Sequence, residues 1–190
     1  MQSVNSLCFF VGVYMNDGKK FENMFKKSVP DFCILERLKD PPQAQNHTYY
    51  STFSWKNKCD FFMFDTLNRK FWCLELKSTK QKYISFEDIY SDKEQNKMIH
   101  KHQILGLLDY SKYENVNSGF LFNFRDEKNN EERTYYQSII DFKKMIDYIG
   151  KSSFTEIELI LNKAIKVDGK KLRVNYTWDI RKLIDDVENR

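Results

Sequence analysis

A chain of 190 residues with 41% hydrophobic and 16% aromatic residues holds too much apolar mass for a disordered protein and enough for one domain with its own core. Its 31 basic and 27 acidic residues leave a net charge of +4, which permits nucleic-acid binding but does not by itself indicate it. No apolar run reaches the roughly 20 residues of a membrane span, residues 7–15 lack the flanks of a signal peptide, and the four cysteines show no CxxC spacing. We therefore expect a reduced, cytoplasmic protein without a membrane partner.

The amino-terminal third alternates between helical and extended patterns. Residues 1–16 form an extension, and the sequence leaves open whether it is an edge strand or an arm that packs on a partner. Asp17 is a candidate N-cap for a helix that ends before Pro30, and residues 32–38 have the pattern of a strand. Residues 39–58 are polar and without apolar periodicity, which predicts a long loop, and loops of this length tend to be functional or mobile.

The next stretch, CDFFMFD-TLNR-KFWCLELK, has the pattern of a β-hairpin, with two apolar strands and a short polar turn. A symmetric hairpin about Leu67 and Asn68 places Asp60 directly opposite Glu75, with the Cβ atoms roughly 5 Å apart. Side chains alternate between the faces of a strand, so Lys77 shares the face of Glu75. Two facing carboxylates weaken a sheet unless a third group neutralises them, and the arrangement therefore predicts a divalent cation such as Mg²⁺.

This acidic pair with its lysine suits phosphodiester hydrolysis. A metal held by Asp60 and Glu75 would bind a phosphate oxygen and acidify its water, while Lys77 would orient that water or stabilise the developing charge. Without metal, the two acids are expected to raise each other's pKa. Acid-x-Lys spacing recurs elsewhere in the chain at solvated positions, so the spacing alone does not distinguish a catalytic pair from a structural one.

The rest of the chain continues to mix helices and strands, and we interpret residues 1–190 as one domain. We predict, in order, a helix over 99–110, strands over 117–124 and 134–140, a short helix over 141–149, a helix from a Ser153–Glu156 capping box to 164, a hairpin turning at Asp168-Gly169, and a terminal helix over 178–189. This order indicates an α/β fold with a mixed sheet flanked by helices.

Other polar residues are ambiguous when taken singly. Glu22 has the ordinary context of a solvated helix acid, and Gln103 has that of an exposed amide. Two histidines at positions 100 and 102 fall on different sides of a helix, which disfavours a zinc site there. The lysine pairs 56/58 and 80/82 bracket the hairpin, where contact with phosphate is favoured over a merely solvated loop.

Several spaced blocks together resemble the RecU-type Holliday junction resolvases of the PD-(D/E)XK nuclease superfamily. The blocks are GKKFE at 18–22, CDF at 59–61, ELKST at 75–79, SF at 85–86 and HKHQILGL at 100–107. The resemblance spans about Gly18 to Phe142 and implies a restriction-endonuclease-like α/β fold with a mixed central sheet flanked by helices. It further implies a Mg²⁺-dependent endonuclease, with Mn²⁺ as a substitute, acting in recombination and repair.

By position, the resemblance gives Asp60 and Glu75 as metal-binding catalytic acids, Lys77 as the catalytic lysine and Glu22 as a further catalytic acid. Residues expected to contact nucleic acid are Lys19, Lys56, Lys58, Thr79, Lys80, Lys82, His102, Gln103 and Arg125. The implied partner is branched double-stranded DNA, which a homodimer would cut with paired symmetric nicks, and a recombinase is a further candidate partner.

The resemblance is incomplete in three places. Residues 39–58 stand where the family carries a projecting stalk and are short, so they form either a short stalk or a DNA-contacting loop. Residues 1–16 and the helical and hairpin extension over 151–190 lie outside the match. Two alternatives therefore remain: a nuclease of the same superfamily with another DNA specificity, such as flaps or linear duplex, and a non-catalytic DNA-binding recombination factor.

Overall fold

Five helices and ten strands lie in the part of the chain that the computed structural model describes, residues 17–39, 57–93 and 95–190. The helices are α1 (Asp17–Ser28), α2 (Lys101–Tyr110), α3 (Ile139–Tyr148), α4 (Glu156–Leu161) and α5 (Ile180–Glu188). The strands are β1 (Cys33–Arg37), β2 (Phe61–Asp65), β3 (Lys70–Thr79), β4 (Tyr83–Ser85), β5 (Val116–Asp126), β6 (Glu131–Ser138), β7 (Ser153–Thr155), β8 (Ile165–Val167), β9 (Gly169–Lys171) and β10 (Tyr176–Trp178). The predictions for residues 1–16 and 40–56, Lys56 included, lie outside the described residues.

A six-stranded mixed sheet in the order β1-β2-β3-β5-β6-β8 forms the centre of the α/β fold, as the sequence predicted. The strands β3 and β5 are parallel, and the other neighbours in this sheet are antiparallel. A parallel pair needs a crossover, which β4 and α2 provide here. Two small ribbons, β4 with β7 and β9 with β10, complete the strand pairing of the described residues.

The hairpin of β2 and β3 has the predicted register, with Phe61 opposite Leu74 and Met63 opposite Trp72. Its turn is closed by the buried Asp65, whose Oδ1 accepts from the Leu67 N–H at 3.0 Å. An Asp that bonds the backbone two residues ahead is a common device of tight turns. Because a slip of one residue would turn every side chain to the other face, this closure fixes which residues point toward α2.

Each face of the sheet carries its own apolar core, and the alternation predicted for the hairpin is confirmed. One core contains Phe61, Met63, Trp72 and Leu74 and packs against α1 and α5. The other contains Cys73 with partly buried Phe62 and Phe71 and packs against α2 and α3. No helix in the described ranges is both long and apolar enough to cross a membrane.

The capping box predicted at Ser153 and Glu156 is wrong. Ser153 lies in β7, where it pairs with Ser85 of β4, and this long-range pairing displaces the helix start. The box is instead formed by Thr155 and Glu158, since the Thr155 N–H donates to Glu158 Oε2 at 2.8 Å. Similarly, α3 begins at Ile139 rather than 141, because the Ser138 hydroxyl accepts from Asp141 N–H and caps it.

The hairpin predicted at Asp168-Gly169 is also wrong. The strand before this dipeptide, β8, pairs with β6, while the strand after it, β9, pairs with β10. Asp168 accepts from Lys182 Nζ at 2.5 Å and its carbonyl accepts from Asp179 N–H at 2.7 Å, so it is tied to α5. A Cβ at Gly169 would lie 2.7 Å from the Tyr176 ring, and the glycine therefore permits close approach rather than a turn.

The carboxy-terminal segment, predicted as an extension, is part of the core. β8 forms one edge of the main sheet, and Ile180, Leu183 and Ile184 of α5 are buried beneath it. Trp178 ends β10 and meets Phe21 of α1 edge to face, with ring centroids 5.1 Å apart. The carboxy-terminal residues therefore hold α1 against the sheet.

Candidate functional site

The candidate site lies where β1 ends, β2 begins and β3 approaches its last residues. Asp60 is held there by its backbone: its N–H donates to the Leu74 carbonyl at 3.0 Å, and its carbonyl accepts from Leu38 N–H at 2.9 Å. Its side-chain Oδ2 accepts from Leu76 N–H at 2.8 Å. The backbone N–H and the carboxylate of Asp60 are thus both hydrogen-bonded to β3, the strand that carries Glu75.

Glu75 is buried, with 2% of its surface exposed, and its Oε1 receives two donors. Lys77 Nζ lies 3.0 Å from this oxygen, and the side-chain amide of Gln103 donates to it. The Gln103 Oε1 accepts in turn from His100 N–H at 3.0 Å, as part of the capping box of α2. The start of α2 therefore positions Glu75 through Gln103, a role that differs from the DNA contact predicted for that glutamine.

Burial disfavours ionisation of both acids, and the charge of Lys77 opposes this effect only in part. Burial raises the pKa of Glu75 to about 7, with a smaller upward contribution from Asp60 and a downward one from Lys77. Burial also raises the pKa of Asp60, while its bond from Leu76 N–H and the charge of Lys77 act in the opposite direction. The sequence predicted the repulsion between the acids, but desolvation is the larger cause.

A third carboxylate reaches the site from α1. The negative charge of Glu22 contributes to the raised pKa values of Asp60 and Glu75. Glu22 Oε2 accepts from Arg37 Nε at 2.7 Å, and Arg37 stands at the end of β1. Sequence reasoning did not identify Arg37, although a polar residue closing an apolar strand was the available signal.

The structure brings together five residues that the sequence predicted to act at one place. They come from three segments: Glu22 from α1, Asp60, Glu75 and Lys77 from the hairpin, and Gln103 from α2. The contacts given above and the effects of Glu22, Asp60 and Lys77 on neighbouring pKa values connect all five. This convergence is not a consequence of one local motif, since 81 positions separate Glu22 from Gln103 in the numbering.

The donor chemistry of the site fits Mg²⁺. Buried Glu75 and half-buried Asp60, whose pKa values are raised, gain from a divalent cation, because the cation compensates the charge that burial disfavours. The described ranges contain no group of three or more His, Cys, Asp or Glu side chains arranged to hold a metal. A cation here would therefore rest on Asp60 and Glu75 and complete its shell with other oxygens, as Mg²⁺ commonly does with water.

The predicted nucleic-acid contacts do not all lie at one place. Thr79, Lys80 and Arg125 lie beside the start of α1, next to Lys77. Lys58, by contrast, donates to Asp109 at 2.7 Å beside α2, with 46% of its side chain exposed. Of the other residues of the set, Lys19 and Lys82 are exposed, and the His102 ring stacks on that of His100.

Gly106 of α2 allows the segment before Asp60 to run close to the helix. A Cβ at this position would lie 2.5 Å from the Cβ and 3.0 Å from the Cα of Lys58. We expect Gly106→Ala to lower the free energy of unfolding by about 1–3 kcal/mol, because overpacking against a backbone atom outweighs the better helix propensity of alanine. Urea unfolding, with Leu105→Ala on the exposed side of α2 as control, measures this. A Gly106→Ala protein as stable as the native chain contradicts the close approach.

No protein-family model matches the chain. The chain is similar to the SPbeta prophage-derived uncharacterized protein YotM of Bacillus subtilis (strain 168). The two are 31% identical over 183 residues, which cover 90% of this chain and 87% of YotM. Identity at this level over nearly the whole of both chains shows common descent, and the chain belongs to the family of YotM.

Proposed function

We propose that this protein is a Mg²⁺-dependent, structure-specific DNA endonuclease with a restriction-endonuclease-like fold, which resolves four-way junctions. The observation that carries the proposal is the joint placement of Asp60, Glu75 and Lys77, with Lys77 Nζ 3.0 Å from Glu75. Two acids and a lysine at the end of a mixed sheet flanked by helices are the arrangement that the RecU-like sequence blocks imply. Mn²⁺ is expected to replace Mg²⁺.

Each residue has a distinct role in the proposed reaction. Asp60 and Glu75 would hold the cation, which when bound would polarise a phosphate oxygen and lower the pKa of water. Lys77, only 14% exposed, keeps a fixed ammonium beside Glu75 and stabilises the charge that develops on the phosphate. Gln103 orients Glu75. The charge of Glu22 raises the pKa of Asp60, and that of its partner Arg37 lowers it.

The closest alternative is a nuclease of the same type that cuts flaps or linear duplex. The acidic pair supports cleavage equally in both cases, whereas junction selectivity depends on parts of the surface beyond it. A non-catalytic DNA-binding recombination factor is disfavoured by the intact set of Asp60, Glu75 and Lys77, because binding alone does not require two acids whose ionisation is costly.

A homodimer is the expected working form, since a two-fold enzyme places one site on each of two symmetric strands of a junction. Cooperation with a recombinase is a further prediction.

Cleavage of a labelled four-way junction, compared with linear duplex of the same sequence, tests the proposal. With Mg²⁺ or Mn²⁺ we expect paired nicks on opposite strands of the junction, none in EDTA, and at least about tenfold slower cutting of the duplex. Equal cutting of both substrates selects the nuclease of other specificity. Binding of the junction without cutting in either metal selects the non-catalytic factor.

A further inference from the structure

A groove of about 570 Å³ opens beside the candidate site, between the start of α1 and the end of β3. Its walls include Gly18, Lys77, Thr79, Lys80 and Arg125. Three of these five residues carry a positive charge at neutral pH, and Lys77 also contacts Glu75. The groove is thus a cationic surface continuous with the acidic pair.

The carboxylate of Asp17 lies in this groove. Its Oδ1 is 2.7 Å from the Arg125 guanidinium, and its Oδ2 is 3.2 Å from Lys80 Nζ. The hydrogen bond with Arg125 is the main reason that the pKa of Asp17 is lowered to about 2; burial opposes it, and the hydrogen bond with Lys80 adds to the lowering. This position therefore favours an anion, and in the structure that anion is the Asp17 carboxylate.

Asp17 does not use the whole donor capacity of the groove. Arg125 has only 12% of its side chain exposed, and its Nε is buried without a hydrogen-bond partner among the described residues. A guanidinium offers five N–H donors, and a phosphate with several acceptor oxygens can engage more of them than one carboxylate oxygen does. Lys80 pairs with a second carboxylate besides Asp17, since its Nζ lies 2.5 Å from Glu127 Oε1.

We propose that this groove binds a DNA phosphate next to the one that is cut, and that Asp17 occupies it in the absence of DNA. The incoming phosphate displaces the Asp17 carboxylate from Arg125 and Lys80. Asp17 is then a built-in competitor, and its removal strengthens DNA binding. The inference rests on the proposed nuclease function, because Lys77 places the groove beside the acidic pair.

Binding of a labelled four-way junction in EDTA, followed by fluorescence anisotropy, tests the competitor role. Asp17→Asn removes the charge and keeps the size and shape of the side chain at the first residue of α1. We expect its Kd to fall by roughly fivefold at about 100 mM salt. Glu127→Gln is the matched control. It also removes one carboxylate charge that is paired with Lys80, but Glu127 does not line the groove, and we therefore expect its Kd to change by less than about twofold.

Equal Kd values for the two variants, or weaker binding by Asp17→Asn, overturn the inference. A direct probe is the ¹⁵N-edited NMR resonance of Arg125 Nε–H, assigned by its loss in Arg125→Lys. Titration with inorganic phosphate should shift this resonance in Asp17→Asn at a concentration several-fold lower than in Glu127→Gln. A resonance that phosphate shifts equally in both variants, or in neither, also overturns the proposal.

These measurements need no cleavage, so they separate the two hypotheses. Tighter binding by Asp17→Asn without any metal-dependent cutting leaves the phosphate groove standing and refutes the nuclease. Metal-dependent cutting with no difference in binding between the two variants supports the nuclease and refutes the phosphate groove.

Discussion

Replacing Asp60 with Asn is expected to lower Mg²⁺-dependent cleavage by at least about 10³-fold, which corresponds to roughly 4 kcal/mol of transition-state stabilisation. The reason is that a neutral amide cannot compensate a divalent cation, and the chemistry assigned to the cation is lost with it. The fold should be kept, because the amide oxygen of Asn can still accept from Leu76 N–H, as Asp60 Oδ2 does at 2.8 Å. Single-turnover cleavage of a junction measures the effect.

The same variant should bind the junction in EDTA within about twofold of the native protein, because Asp60 contributes to metal binding rather than to the phosphate contacts. Asp31→Asn, an equal change of charge at an exposed position after α1, should cut normally. Undiminished cutting by Asp60→Asn would exclude this acid from the catalytic site. Loss of both cutting and binding would indicate a misfolded site instead.

Replacing Glu75 with Gln is expected to abolish cleavage and, in metal-free buffer at pH 8, to stabilise the fold by up to about 3 kcal/mol. Burial raises the pKa of Glu75 from 4.5 to about 7, and each tenfold change in an ionisation equilibrium corresponds to about 1.4 kcal/mol. Since the folded protein binds this proton more tightly than the unfolded chain, the contribution to stability is present below about pH 4.5. It is lost as the pH rises through about 7.

Urea unfolding of both proteins between pH 4.5 and 8 measures this effect. The difference between them isolates Glu75, because Asp60, whose raised pKa gives a loss of the same sign, is present in both. Mg²⁺ should stabilise the native protein more than Glu75→Gln at pH 8. Glu114→Gln, at an exposed position, is the control and should leave the pH profile unchanged. A Glu75→Gln protein that is less stable than the native chain at pH 8 contradicts the costly ionisation.

The part of the site that lies in the hairpin could be predicted because every determinant is local. Alternating apolar residues define the two faces, and the turn sequence fixes the centre of the hairpin, so the placement of Asp60 and Glu75 follows. The partners of the site could not be predicted in the same way. Arg37 and Asp17 reach it through the packing of β1 and α1. The residues next to them in the sequence do not indicate that these elements pack together.

The errors in the carboxy-terminal part have a common physical origin. Ser153-x-x-Glu156 and Thr155-x-x-Glu158 both satisfy the capping-box pattern, and only the pairing of β7 with a strand nearly 70 positions earlier selects the second. In the same way, Gly169 has the sequence context of a turn, but in the structure it permits the close approach of the Tyr176 and Trp178 rings. Local patterns rank the possibilities, and long-range contacts decide among them.

The order in which the ribosome makes this chain has a consequence for when its site is assembled. Glu22 belongs to a helix whose packing partner Trp178 is synthesised more than 150 positions later, and Ser28 of that helix also accepts from Trp178 N–H at 3.1 Å. A nascent chain that already contains all five convergent side chains still lacks the residues that hold that helix in place. The proposed site is therefore expected to be complete only after Trp178 has been synthesised, and products that end before this residue are expected not to cut DNA.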